Sequence, residues 1–255
     1  MVVHLRQSPG IDAGRCVNTV AMAIRPVFLE ALSLILPSSC RGCGAEDRVV
    51  CEECRQALIP QVRTAELWHE GAVPLPLVYG LDYAEPVSGI LHALKERGTT
   101  AAAAPLGVAL REVLRAALPI LFAQTAQPRP ARVLVTFPPS TPANYQLRGY
   151  VPLVVLLRAA RVQSTSLLTH TAGRRNRADQ STLHRSERFN NLTGTLRATR
   201  NLDGETIVLV DDVATSGATL LECARAVRAA GGEVLGAVTI AHTPRKFSAH
   251  SQVNA

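Results

Sequence analysis

The sequence predicts an α/β fold in which helices flank a twisted, mainly parallel sheet, with a small cysteine-bearing segment at the N-terminal side. An apolar strand, a helix and a second apolar strand follow one another between residues 206 and 241, which indicates a right-handed parallel crossover. Two Cys-x-x-Cys pairs stand ahead of this region. With 255 residues and 47% hydrophobic content, the chain can bury one full α/β core and a small accessory segment.

Individual elements are predicted from apolar periodicity and from the turn residues that bound each apolar run. The predicted strands are 77–83, 133–137, 207–210 and 233–241. The predicted helices are 20–36, 87–94, 106–118, 151–160 and 219–230. We predict an accessory unit at 20–60 and a main domain at 74–245, separated by a polar, proline-marked stretch. Residues 1–19 and the tail after Thr243 lack a clear period and are expected to be disordered.

The charge balance favours phosphate-bearing partners, because the formal net charge is +7 and arginine supplies almost all of the positive charge. Biased codon usage in an Ala-rich, Lys-poor chain is the alternative explanation of this composition. No apolar run reaches the 18 residues of a membrane span, and Glu30 interrupts the best candidate for a signal. We therefore expect a cytoplasmic protein whose cysteines are reduced thiols.

Four of the six cysteines form a predicted metal site, and they are Cys40, Cys43, Cys51 and Cys54. Seven residues separate the two pairs, which is enough for four thiolates to meet at one ion. Four thiolates suit tetrahedral Zn²⁺ with a closed, structural role. An iron–sulfur cluster is the alternative, whereas a redox dithiol would need only one pair. Cys223 lies outside this set, on an apolar helix, and is predicted to pack in the core.

The segment 206–220 joins an apolar strand, two carboxylates and a loop of small residues that opens a helix. Small residues and the free N–H groups at a helix start can wrap a phosphate, and the loop hydroxyls add donors. The loop residues are Thr215, Ser216, Gly217, Ala218 and Thr219. Asp211 and Asp212 would repel a phosphate, so they suit ribose hydroxyls or Mg²⁺. A sugar phosphate fits both halves, and the chain has no G-x-x-x-x-G-K-[ST] run that a P-loop would require.

This segment resembles the thirteen-residue signature of type I phosphoribosyltransferases. Three other segments resemble the ComF family: Val135 to Pro139 followed by Arg148-Gly149-Tyr150, the set Gln180, Leu183, Arg188 and Asn191, and Leu94-Lys95-x-x-Gly98. With the cysteine pairs, the resemblance covers roughly residues 25 to 245. Val151, Glu96 and Arg177 depart from the family pattern, which bears on the acceptor side more than on the loop.

The resemblance implies a type I phosphoribosyltransferase fold that binds phosphoribosyl diphosphate with Mg²⁺, and a zinc-binding head. It implies that Asp211 and Asp212 grip the ribose as the catalytic pair and that residues 215–219 hold the 5′-phosphate. Lys95 or Arg148 would meet the diphosphate, the alternative for each being an ordinary surface ion pair. The resemblance also implies an association with competence and DNA uptake, while the acceptor stays unknown.

Seven arginines lie between residues 170 and 200, at positions 174, 175, 177, 185, 188, 197 and 200. They are interpreted either as a surface for single-stranded DNA or as a hood whose cations face the substrate phosphates. Phe189 is the only aromatic residue among them, so stacking platforms are nearly absent. The alternative to an enzyme is a ligand-sensing or single-stranded-DNA-handling module on the same fold, without turnover.

Overall fold

The structure is a computed structural model, and it describes residues 39–46, 48–96, 98–125, 130–171 and 192–243. The strands of this part are β1 (Arg63–Leu67), β2 (Leu75–Asp82), β3 (Leu134–Thr136), β4 (Leu168–His170), β5 (Leu196–Ala198), β6 (Thr206–Ala214) and β7 (Glu233–His242). The helices are α1 (Glu52–Gln56), α2 (Val87–Glu96), α3 (Ala103–Ala123), α4 (Pro142–Arg148), α5 (Pro152–Ala159) and α6 (Ala218–Arg228), and a 3₁₀ turn (Thr100–Ala102) precedes α3.

Five of these strands form one sheet in the order β1-β2-β7-β6-β3. The β2–β7, β7–β6 and β6–β3 pairs are parallel, and only β1 is antiparallel to its neighbour. The β6–α6–β7 crossover links two adjacent parallel strands, as the sequence predicts. The predicted α/β fold with a mainly parallel sheet is therefore confirmed.

The sheet is apolar on both faces because consecutive strand residues point to opposite sides. Val208 and Val210 join the hydrophobic cluster formed with α2, α3 and α5. Ile207 and Leu209 join a second cluster formed with α6. All four are fully buried, so the centre of β6 is held between two helical layers. The direction of the two aspartates that follow is thereby fixed.

A separate two-stranded sheet of β4 and β5 lies against α6. The buried Glu222 carboxylate accepts a hydrogen bond from the Leu196 backbone N–H at 2.9 Å. Arg225 donates to the Leu196 carbonyl at 2.7 Å and to Glu222 at 2.7 and 2.8 Å. A Glu–Arg pair on α6 therefore holds both backbone groups of one β5 residue, which ties this hairpin to the main fold.

The structure corrects several predicted boundaries and adds elements that the sequence analysis did not predict. β6 continues through both aspartates to Ala214 instead of ending at residue 210, and α3 runs from 103 to 123 instead of 106 to 118. The added elements are α1, β1, the 3₁₀ turn, α4, β4 and β5. The predicted helix 20–36, the set 180–191 and the tail after Thr243 lie outside the described residues.

The cysteine segment packs on the same core as the sheet. Cys40, Val50 and Cys54 belong to the cluster that contains Val87 and Ile90 of α2. The two-part division of the chain stays a prediction. Among the described helices, none combines the length and the apolar character needed to cross a bilayer.

Candidate functional site

Asp211 and Asp212 lie within β6, and their positions follow from the strand alternation. Asp212 continues the series of Val208 and Val210, and it therefore faces the α2 side of the sheet. There the Lys95 Nζ atom lies 2.9 Å from the Asp212 Oδ1 atom. The Asp211 Oδ1 atom accepts the Asp212 backbone N–H at 2.9 Å. Residues that are more than a hundred positions apart in the sequence thus form one charged group.

The end of β6 is pinned by its neighbour β7. The Ala214 carbonyl accepts a hydrogen bond from the Thr243 backbone N–H at 3.0 Å and lies 2.7 Å from the His242 ring Nδ1. The His242 ring packs edge-on against Tyr79, with 4.9 Å between ring centroids. These contacts fix where the strand stops and where the loop 215–219 begins.

The loop turns into α6 at Gly217, whose φ of 76° lies in the left-handed region that favours glycine. A Cβ atom at Gly217 would lie 2.8 Å from the Leu67 side chain, so the position is also closed by packing. The Ser216 Oγ atom accepts the Ala218 N–H at 3.4 Å. Thr215 and Thr219 are exposed. This helix start therefore offers N–H groups that lack an intrahelical partner, together with two exposed hydroxyls.

The pKa of Lys95 is raised above its ordinary value. Burial opposes this shift, but the negative charges of Asp212 and Asp211 outweigh it. Lys95 is thus a stable cation at neutral pH, held beside the carboxylates.

For Asp211, in contrast, a raised pKa disfavours the charged form. Burial and the neighbouring Asp212 charge raise the pKa of Asp211 from 3.8 to about 8, although Lys95 opposes the shift. Two adjacent carboxylates served by one lysine carry more negative charge than the pocket neutralises. A second cation at Asp211 would relieve this repulsion, and carboxylate oxygens are ligands that Mg²⁺ accepts.

The residues that flank Lys95 are held by the turn at Arg148-Gly149-Tyr150. The Arg148 guanidinium forms a 2.6 Å ion pair with Glu96, and the Tyr150 hydroxyl donates to the Leu94 carbonyl. The turn itself is ordered by α4, where the Thr141 Oγ1 atom caps the helix start by accepting the Asn144 N–H at 3.2 Å. Arg148, a predicted diphosphate ligand, is therefore also an ion-pair partner in the structure.

A cleft of about 210 Å³ joins these groups. Of the sequence-predicted residues, Lys95, Arg148, Asp211, Asp212 and Thr219 line it. Loop residues 215–218 are not part of that lining; they form the turn between β6 and Thr219.

Other residues on the cleft wall were not predicted from the sequence to belong to the site. They are Pro138, Pro139, Ser140, Thr141, Asn144, Val151, Pro152, Leu153, His170, Leu192, Thr195, Leu196 and Glu222. The sequence does contain a signal for Glu222, since an acid three residues before Arg225 on a largely apolar helix indicates a buried ion pair. The sequence contains no such signal for His170, because the three-residue strand β4 that positions it is too short to show a periodic pattern.

The four predicted cysteines come together. Their sulfur atoms all lie within 4.8 Å of one another, with 3.6 Å between Cys43 Sγ and Cys51 Sγ. Zn–S bonds of about 2.3 Å in a tetrahedron separate sulfurs by about 3.8 Å, so small shifts would complete the site. The cluster is compatible with zinc.

The thiols of the cluster also differ in acidity. Although burial opposes it, backbone hydrogen bonds from Cys51, Cys43 and Gly42 lower the pKa of Cys40 to about 6. Burial and the neighbouring sulfurs raise the pKa of Cys54. The sulfurs that surround Cys54 thus oppose its ionisation, and a divalent cation would remove that penalty.

The arginine-rich stretch is only partly described. Arg197 is exposed on β5, and Arg200 pairs with Glu205 at 2.8 Å. The arginines at 174, 175, 177, 185 and 188 lie outside the described residues. The choice between a DNA surface and a hood stays a prediction.

Residues 137–252 match the family model described as "Phosphoribosyl transferase domain". The match begins at the carboxyl end of β3 and includes α4, the hairpin, the aspartates and the loop. A comparison with curated proteins gives no match. The chain thus combines an α/β fold carrying a phosphoribosyl transferase domain with a four-cysteine cluster compatible with zinc.

Proposed function

We propose that the chain binds phosphoribosyl diphosphate with Mg²⁺ and transfers its phosphoribosyl group to an acceptor. The observation that supports this most directly is the 2.9 Å pair between Lys95 and Asp212 in a cleft that also holds Asp211 and Thr219. A sugar phosphate with a diphosphate leaving group needs a phosphate cradle, hydroxyl acceptors and a cation. The residues that we propose for these roles lie at the end of α2, at the end of β6 and at the start of α6.

The 5′-phosphate is assigned to residues 215–219. Gly217 lets the backbone turn at the start of α6, and the N–H groups of the first turn would point toward an anion bound there. Thr215 and Thr219 are exposed and can donate their hydroxyl protons. Because α6 is anchored through Glu222 and Leu196, the cradle stands on a rigid element.

The ribose hydroxyls are assigned to Asp211 and Asp212, which accept hydrogen bonds as carboxylates. The raised pKa of Asp211 supports a cation at this position. When bound, Mg²⁺ would neutralise the diphosphate oxygens as charge develops on the leaving group. The residues that would hold it are these two carboxylates.

The leaving diphosphate is assigned to Lys95, with Arg148 as a second cation on the same wall. Breaking the C1–O bond moves charge onto the diphosphate, and a fixed cation stabilises that charge in the transition state. Lys95 is the better placed, because it already faces the two carboxylates. Arg148 would have to share its guanidinium with Glu96.

The acceptor would enter the same cleft, whose wall also includes Pro138 to Thr141, Asn144, His170 and Thr195. Fixing the 5′ end in the cradle orients C1 toward that space, so transfer proceeds by positioning of two reactants. The acceptor's chemical identity is left to experiment.

We place the chain in the ComF family and expect it to act in the cytoplasm in the use of imported DNA. Support comes from the combination of a four-cysteine cluster, Lys95 facing the signature aspartates, and the Arg148-Gly149-Tyr150 turn that holds α2. This association describes a setting and no reaction.

The test is titration calorimetry with phosphoribosyl diphosphate and Mg²⁺, followed by product analysis across nucleobases and amines. We expect saturable binding and release of diphosphate with one acceptor class. Replacing Asp211 and Asp212 together by Ala should abolish binding with an unchanged circular dichroism spectrum. Binding without turnover would favour the ligand-sensing module, and unchanged affinity in the double variant would remove this site.

A further inference from the structure

We propose that the cysteine cluster positions Lys95 through helix α2, so that metal binding at the cysteines controls the affinity of the cleft for phosphoribosyl diphosphate. The inference rests on the proposed function, because it concerns the same diphosphate contact. Helix α2 is the link, since its first turn contacts the cysteine segment and its last turn carries Lys95.

The first contact is made by two glycines that face each other's elements. A Cβ atom at Gly42, between Cys40 and Cys43, would lie 2.7 Å from both Cys54 Sγ and Pro86 Cβ. A Cβ atom at Gly89, in α2, would lie 2.5 Å from the Arg41 carbonyl oxygen. The cysteine turn and the start of α2 therefore approach at backbone distance. A shift of the cysteine sulfurs would therefore displace the first turn of α2.

The other end of α2 holds three consecutive residues that each contact the cleft region. The Leu94 carbonyl accepts from the Tyr150 hydroxyl, Lys95 pairs with Asp212, and Glu96 pairs with Arg148. A rotation or slide of α2 would therefore displace Lys95 from the carboxylates. It would also strain the turn that lines the cleft.

Helix α2 is well suited to transmit such a shift. Its ten residues span about 15 Å. Glu85 caps its start by accepting the Ser88 hydroxyl at 2.6 Å and the Gly89 N–H at 3.3 Å. Its inner face is almost fully buried at Ile90 and Leu91. Because one face of this short helix is packed in the core, we expect the helix to move as one rigid unit.

The cysteine segment, by contrast, has little structure of its own. Among the described residues between 39 and 54, the only helix or strand is the first part of the five-residue α1. A segment of this size cannot bury a core by itself, so its shape would depend both on a metal held by the cysteines and on the core against which it packs. Metal loss should therefore act first on the contacts that the turn at Arg41 and Gly42 makes with Pro86 and Gly89.

The test compares zinc-loaded protein, protein stripped by a chelator that is then dialysed away, and the stripped protein reloaded with Zn²⁺. We expect phosphoribosyl diphosphate with Mg²⁺ to bind about tenfold or more weakly to the stripped protein and normally after reloading. Hydrogen exchange without ligand should rise at residues 87–96 and stay unchanged in β6 and β7. Loss of protection throughout the sheet would overturn the proposal, because the metal would then support the whole fold.

Two variants isolate the helix. Gly89→Ala should keep its zinc and still bind the ligand about tenfold more weakly. Gly107→Ala is the matched control, because a Cβ there would lie 2.6 Å from Ala159 in α5, away from the cysteines. Gly107→Ala should lose as much thermal stability as Gly89→Ala but keep the wild-type affinity for phosphoribosyl diphosphate. Equal affinity in Gly89→Ala and Gly107→Ala would contradict the proposed link.

A thermodynamic cycle with Lys95→Met completes the test. If the metal acts through Lys95, stripping zinc from this variant should change its remaining affinity by less than about twofold. If stripping zinc weakens ligand binding by Lys95→Met as much as it weakens binding by the wild type, the metal acts independently of Lys95, and the inference is overturned. If loaded wild-type protein does not bind the ligand, the proposed function falls as well; if loaded and stripped proteins bind equally, only this inference falls.

Discussion

The Lys95 Nζ atom lies 2.9 Å from the Asp212 Oδ1 atom, and this pair joins the end of α2 to the signature strand β6. Asp212 is almost completely buried, whereas the Lys95 side chain keeps 36% of its exposure. The lysine thus compensates a buried carboxylate and still reaches the cleft. Under the proposed function, this one side chain would serve both stability and ligand binding.

Replacing Lys95 by Met should weaken binding of phosphoribosyl diphosphate by about 10- to 100-fold, because a charge-assisted hydrogen bond contributes about 1.5–3 kcal/mol. Folding stability should also fall, by about 1–2 kcal/mol, since Asp212 is left buried without its partner. Calorimetry and urea unfolding measure the two effects. Lys95→Arg, which keeps the charge, should recover part of both, and wild-type affinity in Lys95→Met would contradict the assignment.

Asp211 should make the protein less stable as the pH rises. Its pKa goes from 3.8 to about 8 on folding, so the folded chain binds the proton more tightly than the unfolded chain. Stability is therefore present below pH 4 and is lost between pH 4 and pH 8. Asp211→Asn should flatten this dependence and raise the melting temperature at pH 8, while the affinity for phosphoribosyl diphosphate falls.

Melting curves at pH 5 and pH 8 decide this prediction. The Asn side chain keeps an oxygen for the Asp212 N–H, so a lower melting temperature at pH 8 in Asp211→Asn would exclude the proposed charge repulsion. Addition of Mg²⁺ should raise the pH 8 melting temperature of the wild type and leave the variant nearly unchanged.

Tyr150→Phe should loosen the turn beside Lys95. The lost hydroxyl leaves the Leu94 carbonyl without its donor, which costs about 1 kcal/mol of stability. Tyr145→Phe is the control, because Tyr145 is about half exposed on the neighbouring helix. Chemical denaturation compares the two variants, and equal stability of both would show that the Tyr150 hydroxyl contributes nothing.

Elemental analysis should find one zinc ion per chain. Cys43→Ser should lose it, since three thiolates and a hydroxyl bind zinc more weakly than four thiolates. Cys43 is exposed, so the substitution itself hardly disturbs packing. Cys223→Ala, which changes a buried cysteine outside the cluster, should retain the metal. Purified wild-type protein with four titratable thiols and no metal would refute the zinc site.

Single-stranded DNA binding is tested by salt titration of a thirty-nucleotide strand. If the arginines between 174 and 200 contact phosphates, the affinity should fall by about 0.7 log unit per log unit of salt for each phosphate neutralised. Sequence should have no effect, because nothing in this stretch reads base edges. Competition by phosphoribosyl diphosphate would indicate a hood, and independent binding a separate surface. Absence of binding at about 50 mM salt would exclude the DNA surface.

The sequence was most informative where long apolar runs meet short polar motifs. β6, α6 and β7 follow from periodicity, and the four cysteines follow from spacing and ligand chemistry. β1 was missed because Arg63 and Glu66 interrupt a five-residue edge strand whose partner is supplied only by tertiary contact. His170 and Glu222 were missed as site residues for a related reason, since the cleft wall they share is assembled from separate elements. Sequence spacing cannot show such a wall.

The packing of Leu67 against Gly217 connects the edge strand β1 to the loop 215–219. Because a single Cβ atom at residue 217 would meet the leucine side chain at 2.8 Å, the size of one residue limits the size of the other. The two positions cannot drift independently during evolution. A recombination breakpoint between β1 and β6 would separate co-adapted partners, so the strand and the loop are expected to be inherited as one unit.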